Sequence, residues 1–450
     1  MNWEACRKGG AVLALSALVG SGSAFAGGFY IQEQSAAGVG RAQAGNGVAA
    51  DDASTIYFNP AGLTELEGFQ TAGGIDLIVP TASLGDQGTI DHSLGAKLGN
   101  PSSGGSSLPG GNSGGNPGSA SPIPDFYISA QIPDTPLTAG FGMTAPFGFA
   151  SKFSQGFFGR YDSIDSFIET VDLAPTIAWK VTDWLSVGGG LDEQYVYVKL
   201  RNALPDPLAL TGPSVSTDGR LTLTGHTWTT GFNVGVLLKP TPDTKIGLTW
   251  REGITHNIDG RVTISGLTGI LASQNQWIQA TAALNLPDII TAGISQKITP
   301  DLTLLSEFDY YTWSNFKAID VVTQSSLGNL ITPEYYRNTY SVAIGAEYQL
   351  TPLLKLRGGF KYDQTPTVDA YRDTRVPDGD RFWLATGVHY QLTENLGLDG
   401  SYAHIFITDS PVNINRSFYG QVPAFLTTSN IVATSHVALD ILTAGFTYKF

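Results

Sequence analysis

The 450-residue sequence has one cysteine, two methionines and six histidines, and only 14% of its residues are charged. Each scarcity excludes something. The lone thiol, Cys6, rules out an intrachain disulfide and every thiolate metal cluster. The histidines (His92, His226, His256, His389, His404 and His436) share no metal-ligand spacing. The one G-x-S-x-G match, Gly111–Gly115, falls in a Gly- and Ser-rich stretch and not at a strand-to-helix elbow, and no phosphate-cradling P-loop occurs, so no enzyme, metal or cofactor is expected; the alternative is a hydrolase whose Ser, His and acid meet from different strands. Long hydrophobic runs are also missing. Nothing beyond the N-terminus approaches the ~18 apolar residues of a membrane helix. Positive charge is short, with 25 Lys and Arg against 39 Asp and Glu, and a net charge of -14 makes a poor nucleic-acid binder.

Glycine and aromatics are abundant: 54 Gly, 18 Tyr and 22 Phe. Together with few charges, they suit alternating membrane strands bordered by aromatic belts. The N-terminus reads as a secretory signal, with Arg7 and Lys8, an apolar stretch from Gly9 to Gly20, and a small-x-small site at Ala24-Phe25-Ala26. That stretch is too short for the alternative, a membrane anchor. Cleavage before Gly27 removes Cys6 along with two positive charges and one negative, leaving -15. Such acidity suits polar outer loops and a charged lumen.

The last fifteen residues fix the strand type. Leu442, Ala444, Phe446, Tyr448 and Phe450 alternate with Thr443, Gly445, Thr447 and Lys449, giving one greasy face and one polar face. Similar alternation predicts fourteen strands near 68–80, 122–133, 138–149, 166–182, 184–201, 225–239, 244–264, 278–298, 302–323, 336–350, 354–366, 380–392, 396–408 and 436–450. Tight turns at Thr182-Asp183, Thr241-Pro242-Asp243, Thr299-Pro300-Asp301, Thr351-Pro352 and Thr393-Glu394-Asn395 join them at one end, with variable loops at the other. The fold class is therefore all-β, a transmembrane antiparallel barrel of fourteen strands at residues 67–450.

Residues 99–122, rich in Gly, Ser, Asn and Pro, read as a flexible outer loop. The loops near 202–224 and 265–277 carry Leu204, Leu208, Leu210, Leu267, Ile270, Leu271 and Trp277. These apolar side chains either pack loop against loop or form a greasy landing surface at the mouth. Residues 27–66 do not alternate. They hold Gly38, Gly40, Gly45, Gly47, Asp51, Asp52, Asn59 and Pro60, and read as a hatch filling a bore that would otherwise conduct water; a disordered tail is the alternative.

Residues Gly27–Thr64, GGFYIQEQSAAGVGRAQAGNGVAADDASTIYFNPAGLT, resemble the N-terminal hatch of the FadL family of outer-membrane transporters for long-chain fatty acids and hydrocarbons. VPDGDRFWLATG at Val376–Gly387, TAALNLPDIITAG at Thr281–Gly293, the run at Tyr310–Phe316 and the terminal TYKF match in family order. The resemblance implies a hatch inside a fourteen-stranded barrel of the bacterial outer membrane. It implies capture of ligand between outer loops, a lumen pocket, and sideways exit through a gap at a kinked strand. Pro146, followed by Phe147 and Gly148, supplies a physical reason for a kink, because proline lacks a ladder donor. Proline at a loop entrance is the plainer account.

Arg251, Arg357, Lys361 and Arg381 fall on lumen-facing positions. They serve either a hatch-to-barrel charge network or a fatty-acid carboxylate. Asp51 and Asp52, with Glu33, are the hatch acids, and Asn59-Pro60 is a tight turn. Gly188-Gly189-Gly190 leaves room for hatch backbone or merely curves its strand. The expected function is passive, ligand-gated entry of long-chain fatty acids or similar hydrophobic compounds; aromatic hydrocarbon uptake and a general aqueous porin are the alternatives. Expected partners are the hydrophobic ligand, outer-membrane lipid and lipopolysaccharide, and the assembly machinery through Phe450. The chain is expected to be a monomer.

Overall fold

The computed structural model describes residues 28–93, 112–206, 214–323, 329–418 and 427–450. The expected export signal, most of the loop at 99–122, and Leu208 and Leu210 lie outside the described residues.

Fourteen antiparallel strands close into a barrel: β1 (Phe69–Asp86), β2 (Ser121–Gln131), β3 (Leu137–Thr144 and Gly148–Lys152), β4 (Asp165–Lys180), β5 (Leu185–Leu204), β6 (Gly219–Thr241), β7 (Thr244–Arg251 and Thr255–Ser265), β8 (Gln276–Asn285 and Ile289–Lys297), β9 (Leu302–Tyr311 and Ala318–Thr323), β10 (Leu330–Pro333 and Thr339–Thr351), β11 (Leu354–Asp363), β12 (Arg381–Gln391), β13 (Leu396–Ile407 and Ser410–Ser417) and β14 (Thr427–Lys449). Closure comes from β1, which pairs with β14 from Gln70 opposite Lys449 to Asp86 opposite Ala433, and with β2 on its other side. A closed sheet has no edge to satisfy, which is what a hydrocarbon environment demands.

Alternation sets the two faces, and a one-residue slip would exchange them. On β10, Tyr340, Val342, Ile344 and Tyr348 are exposed on the outside, while Ser341, Ala343 and Glu347 are buried in the lumen. Aromatics border the outer band. Tyr362 lies 6.0 Å from Tyr340 and 5.4 Å from Phe382 towards the loop end, and Phe450 lies 4.8 Å from Phe69 and 4.7 Å from Tyr448 at the turn end.

Four of the expected strands, β3, β7, β8 and β9, are broken within their bounds, while β10 and β13 each carry a second piece beyond theirs. β7 and β8 break at the same height, where Pro287 lacks a donor and the Gly253 N–H turns to the Asp288 carboxylate at 3.0 Å. The described part of the loop at 99–122 is pinned rather than loose: Asn116 donates to the Pro80 carbonyl at 3.0 Å, and Pro117 accepts the Lys152 N–H at 2.8 Å.

Residues 28–66 sit inside the bore as three short helices, α1 (Ala36–Gly40), α2 (Asn46–Ala49) and α3 (Thr55–Phe58), and a 3-10 turn (Pro60–Glu65). Asn59 starts the last turn by accepting the Ala61 N–H at 3.1 Å, with Pro60 in the first position where no donor is missed. α1 lies against β11–β14, α2 against β7 and β8, and α3 with the 3-10 turn against β3–β6. The hatch backbone rests directly on the wall: a Cβ on Gly359 would stand 1.9 Å from the Arg41 carbonyl oxygen, and one on Gly188 would stand 2.5 Å from the Pro60 carbonyl carbon. Of the 188–190 triplet, only Gly188 receives the hatch.

Candidate functional site

Charges fasten the hatch to the wall. Arg41 bridges Asp51 and Glu347 at 2.6 Å each, and Arg357 reaches Glu347 at 3.0 Å and Asp399 at 2.5 Å. Arg251 pairs with Asp192, lies 3.6 Å from Asp172, donates to the Tyr57 carbonyl at 2.9 Å, and stacks 4.4 Å over the Tyr57 ring. Lys361 pairs with Asp309 at 3.2 Å and bonds Gln32; Arg381 pairs with Asp378 at 2.6 Å. Each of the four basic residues picked from the sequence thus already holds a carboxylate of the chain. The structure distributes them around the bore instead of converging them on one point. Asp51 belongs to this network, whereas Asp52 caps its own turn through the Ser54 N–H at 2.8 Å.

Near Arg381, Glu33 is buried with one carboxylate oxygen that has no partner, as has the Arg381 Nη1. Burial pushes its carboxyl up to about 7, with Arg381 and Lys361 opposing.

Between β2 and β3 the wall is incomplete. β2 pairs with β3 only from Gln131 opposite Thr138 to Phe126 opposite Met143, and the second piece of β3 pairs only with β4. Between them, residues 145–147 leave the ladder. Hatch backbone takes up the freed groups: Ile31 donates to the Pro146 carbonyl and Gly148 donates to the Phe29 carbonyl, both at 2.8 Å. Tyr30 faces Phe147 as an antiparallel bridge, and the Gln34 side chain donates to the Ala145 carbonyl at 3.1 Å.

Beside this junction lies an apolar cavity enclosing about 570 Å³ of empty space, its open mouth included. Its walls include Phe29, Phe149, Leu200, Ile258, Phe316 and Tyr336. The Phe29 ring meets Trp313 at 4.9 Å and Phe316 at 5.5 Å. The outer end is polar, with Glu334, Asp373 and Arg375. Arg375 binds Asp162 at 3.0 Å and Asp373 at 2.5 Å, and its Nε has no partner. Asp162 is fully buried, which disfavours its charge, yet Arg416 and Arg375 hold its carboxyl below the usual range. This junction ties the loop after β3 to the loop after β11 and to β13. A second cavity of about 500 Å³ between hatch and wall is mixed, with Gln32, Arg251 and Glu307 beside Tyr30, Tyr57 and Trp250.

Sequence reasoning passed over Arg375 and Phe29. Arg375 lies in a loop, where alternation gives no facing. Phe29 was absorbed into the hatch without a direction. Among the loop residues, Leu204 and Leu267 are buried in one apolar cluster with Leu271 against it, so they pack loop on loop, while Trp277 is 68% exposed.

Residues 17–450 match the sequence profile of the family described as outer membrane protein transport protein (OMPP1/FadL/TodX). The chain is 26% identical over 424 residues to the long-chain fatty acid transport protein of Escherichia coli O6:H1, covering 87% of this chain and 90% of that protein. Its fold is similar to the crystal structure of a Pseudomonas aeruginosa FadL homologue, with TM-score 0.83, 24% identity, and coverage of 94% and 100%. It is also similar to that of the Ralstonia pickettii toluene transporter TbuX, with TM-score 0.61, 20% identity, and coverage of 91% and 98%.

Proposed function

The chain belongs to the OMPP1/FadL/TodX family of outer membrane transport proteins, a β-barrel of the bacterial outer membrane, and on that premise we propose that it admits long-chain fatty acids or similar hydrophobic compounds by passive diffusion, with exit sideways between β2 and β3. Such cargo partitions into apolar surroundings at roughly 0.8 kcal/mol per buried methylene, so a greasy cavity that opens into lipid spares it a passage through water. Cargo meets Trp277 at the mouth, enters the cavity behind the Asp162–Arg375 junction, and leaves past Pro146, Phe147 and Gly148. Arg375, with a free Nε at the polar end, is the partner for a carboxylate head.

One observation carries the reading. Phe29 is a wall of the cavity and, through its carbonyl, a member of the hatch contact at the interrupted strand. Ligand that displaces the Phe29 ring therefore loosens the Gly148 bond, coupling binding to opening. In the same reading residues 1–26 are a cleaved export signal, 27–66 the hatch and 67–450 the barrel, Phe450 is the handle for the assembly machinery, and the barrel works as a monomer.

Aromatic hydrocarbon cargo is the second reading, favoured by the aromatic cavity walls and by the fold shared with a toluene transporter. Uptake of labelled oleate and toluene by a strain lacking its own transporter, complemented with this chain, tests both. Uptake of either one that stops when β2 is cross-linked to β3 across the gap supports the route. Uptake of neither, or uptake indifferent to the cross-link, overturns it.

A further inference from the structure

Near the loop end, the outward face of β4–β8 turns from apolar to basic. Register places three rows side by side there. The first runs Phe167, Lys199, Thr224, Arg261, Gln279; the second Asp165, Arg201, Thr222, Thr263; the third Ala203, Arg220, Ser265. These positions share the face of the exposed Trp228, opposite the buried Gln194, Val196 and Leu200 of the lumen. Lys199 and Arg201 share one acid, Asp165, at 2.7 and 2.9 Å, and among the described residues Arg220 and Arg261 form no ion pair. Positive charge thus gathers on one patch of a chain whose net charge is -14.

Height on the wall says what that patch meets. Trp184 at the turn end and Tyr195, whose ring lies 5.2 Å from Trp228, mark the two aromatic borders. A strand rise of ~3.3 Å and a tilt of ~40° set them roughly 28 Å apart, close to the ~25 Å apolar band of outer-membrane barrels. Lys199 and Arg201 come next along the strand, level with the headgroups of the outer leaflet. Beside them the wall is hollowed into a groove of about 960 Å³, its open side included, bordered by Tyr197, Thr224, His226, Asp259, Arg261 and Gln279. Arg261 offers a forked donor to a phosphate, while Asp259, Gln279 and Thr224 suit hydroxyl and amide groups. A phosphorylated sugar uses both sets. A lipid with a phosphate and no sugar would leave Asp259 facing an anion. Free phosphate lacks the local concentration that a lipid anchor confers.

We propose that this groove and its basic rows bind the phosphorylated sugar headgroup of lipopolysaccharide, with Arg261 on a phosphate and Arg220, Lys199 and Arg201 supplying the surrounding positive charge. The site is separate from the cargo cavity and independent of what the barrel transports. The full chain, purified in detergent, is titrated by native mass spectrometry with diphosphorylated lipid A, with the same lipid stripped of phosphate, and with phosphatidylglycerol. Diphosphorylated lipid A is expected to bind at least tenfold tighter than either. R261Q should weaken it about tenfold, the worth of one charge-assisted hydrogen bond, and R220Q/R261Q further, while R337Q on β10 leaves it unchanged. Neither Arg220 nor Arg261 leaves an acid unpaired, so the variants should keep their fold, checked by the unheated barrel's resistance to SDS. Equal binding of the phosphate-free lipid or of phosphatidylglycerol, or folded variants that bind like the unsubstituted chain, overturns the assignment and leaves the transport reading untouched.

Discussion

The carbonyl of Phe29 accepts the backbone N–H of Gly148 at 2.8 Å, while the Phe29 ring packs within 6.2 Å of Phe147 and Phe149 on either side of that bond. Hatch and wall thus share a short stretch of ladder at the point where the barrel's own ladder is missing. Backbone pairing is the cheapest way to satisfy groups that lipid cannot, and it can be undone only by moving residues 28–34.

Locking that stretch should stop transport. Tyr30 and Phe147 face each other as an antiparallel bridge, a spacing within reach of a disulfide. The variant with Tyr30→Cys and Phe147→Cys is expected to lose most oleate and toluene uptake when oxidised and to regain it with a reductant. Each single substitution serves as the control for side-chain loss. Equal uptake in oxidised and reduced cells would show that the hatch need not leave β3.

Gly359 offers the opposite manipulation. Its missing side chain makes room for the Arg41 carbonyl, so Gly359→Ala must push α1 off the wall or distort β11. Steady ion conductance in planar bilayers should rise well above that of the unsubstituted barrel. Gly189→Ala, whose Cβ lies 3.3 Å from the nearest wall atom and away from the hatch, should leave conductance unchanged.

The basic residues separate by partner. Arg251 is held by Asp192, Asp172 and the Tyr57 carbonyl, so Arg251→Gln leaves buried acids unpaired, which costs about 3–5 kcal/mol. Uptake of oleate and toluene should fall together. Arg375→Gln keeps bulk and polarity at the cavity's polar end but removes the charge, so oleate uptake should fall about tenfold relative to toluene, the worth of one charge-assisted pair. Parallel losses for Arg375→Gln would assign that side chain to loop structure alone.

Why some of this was legible in the sequence and some was not follows from the range of the interactions. Strand existence is local: Tyr340 to Leu350 alternates because one face meets lipid, and that pattern needs no partner to be read. Facing was equally legible, so Arg251, Arg357, Lys361 and Arg381 were placed on the lumen side. Their partners were not, since Asp192 and Arg251 meet only through pairing across three strands, and Lys361 meets Gln32 only once the hatch is seated. The breaks in β7 and β8 were hidden for a related reason. Pro287 marks one of them, but the Gly253–Asp288 contact that shapes both depends on the register between neighbours.

Acidity offers a last handle on the hatch. Burial raises the Glu33 carboxyl to about 7, against Arg381 and Lys361, while a solvated Glu titrates near ~4.3. The seated hatch therefore binds a proton that the released hatch gives up, and its stability is full below the solvated value and falls as pH rises through about 7. The loss across that window is on the order of 3–4 kcal/mol. Protease nicking of residues 28–40 from the periplasmic side should accordingly be faster at pH 8 than at pH 5, and Glu33→Gln, which keeps the neutral shape, should flatten the profile at the slow, acid-side rate. A variant profile as steep as that of the unsubstituted chain would place the titrating group elsewhere, leaving the hatch seated by the Arg41 network and the glycine contacts alone.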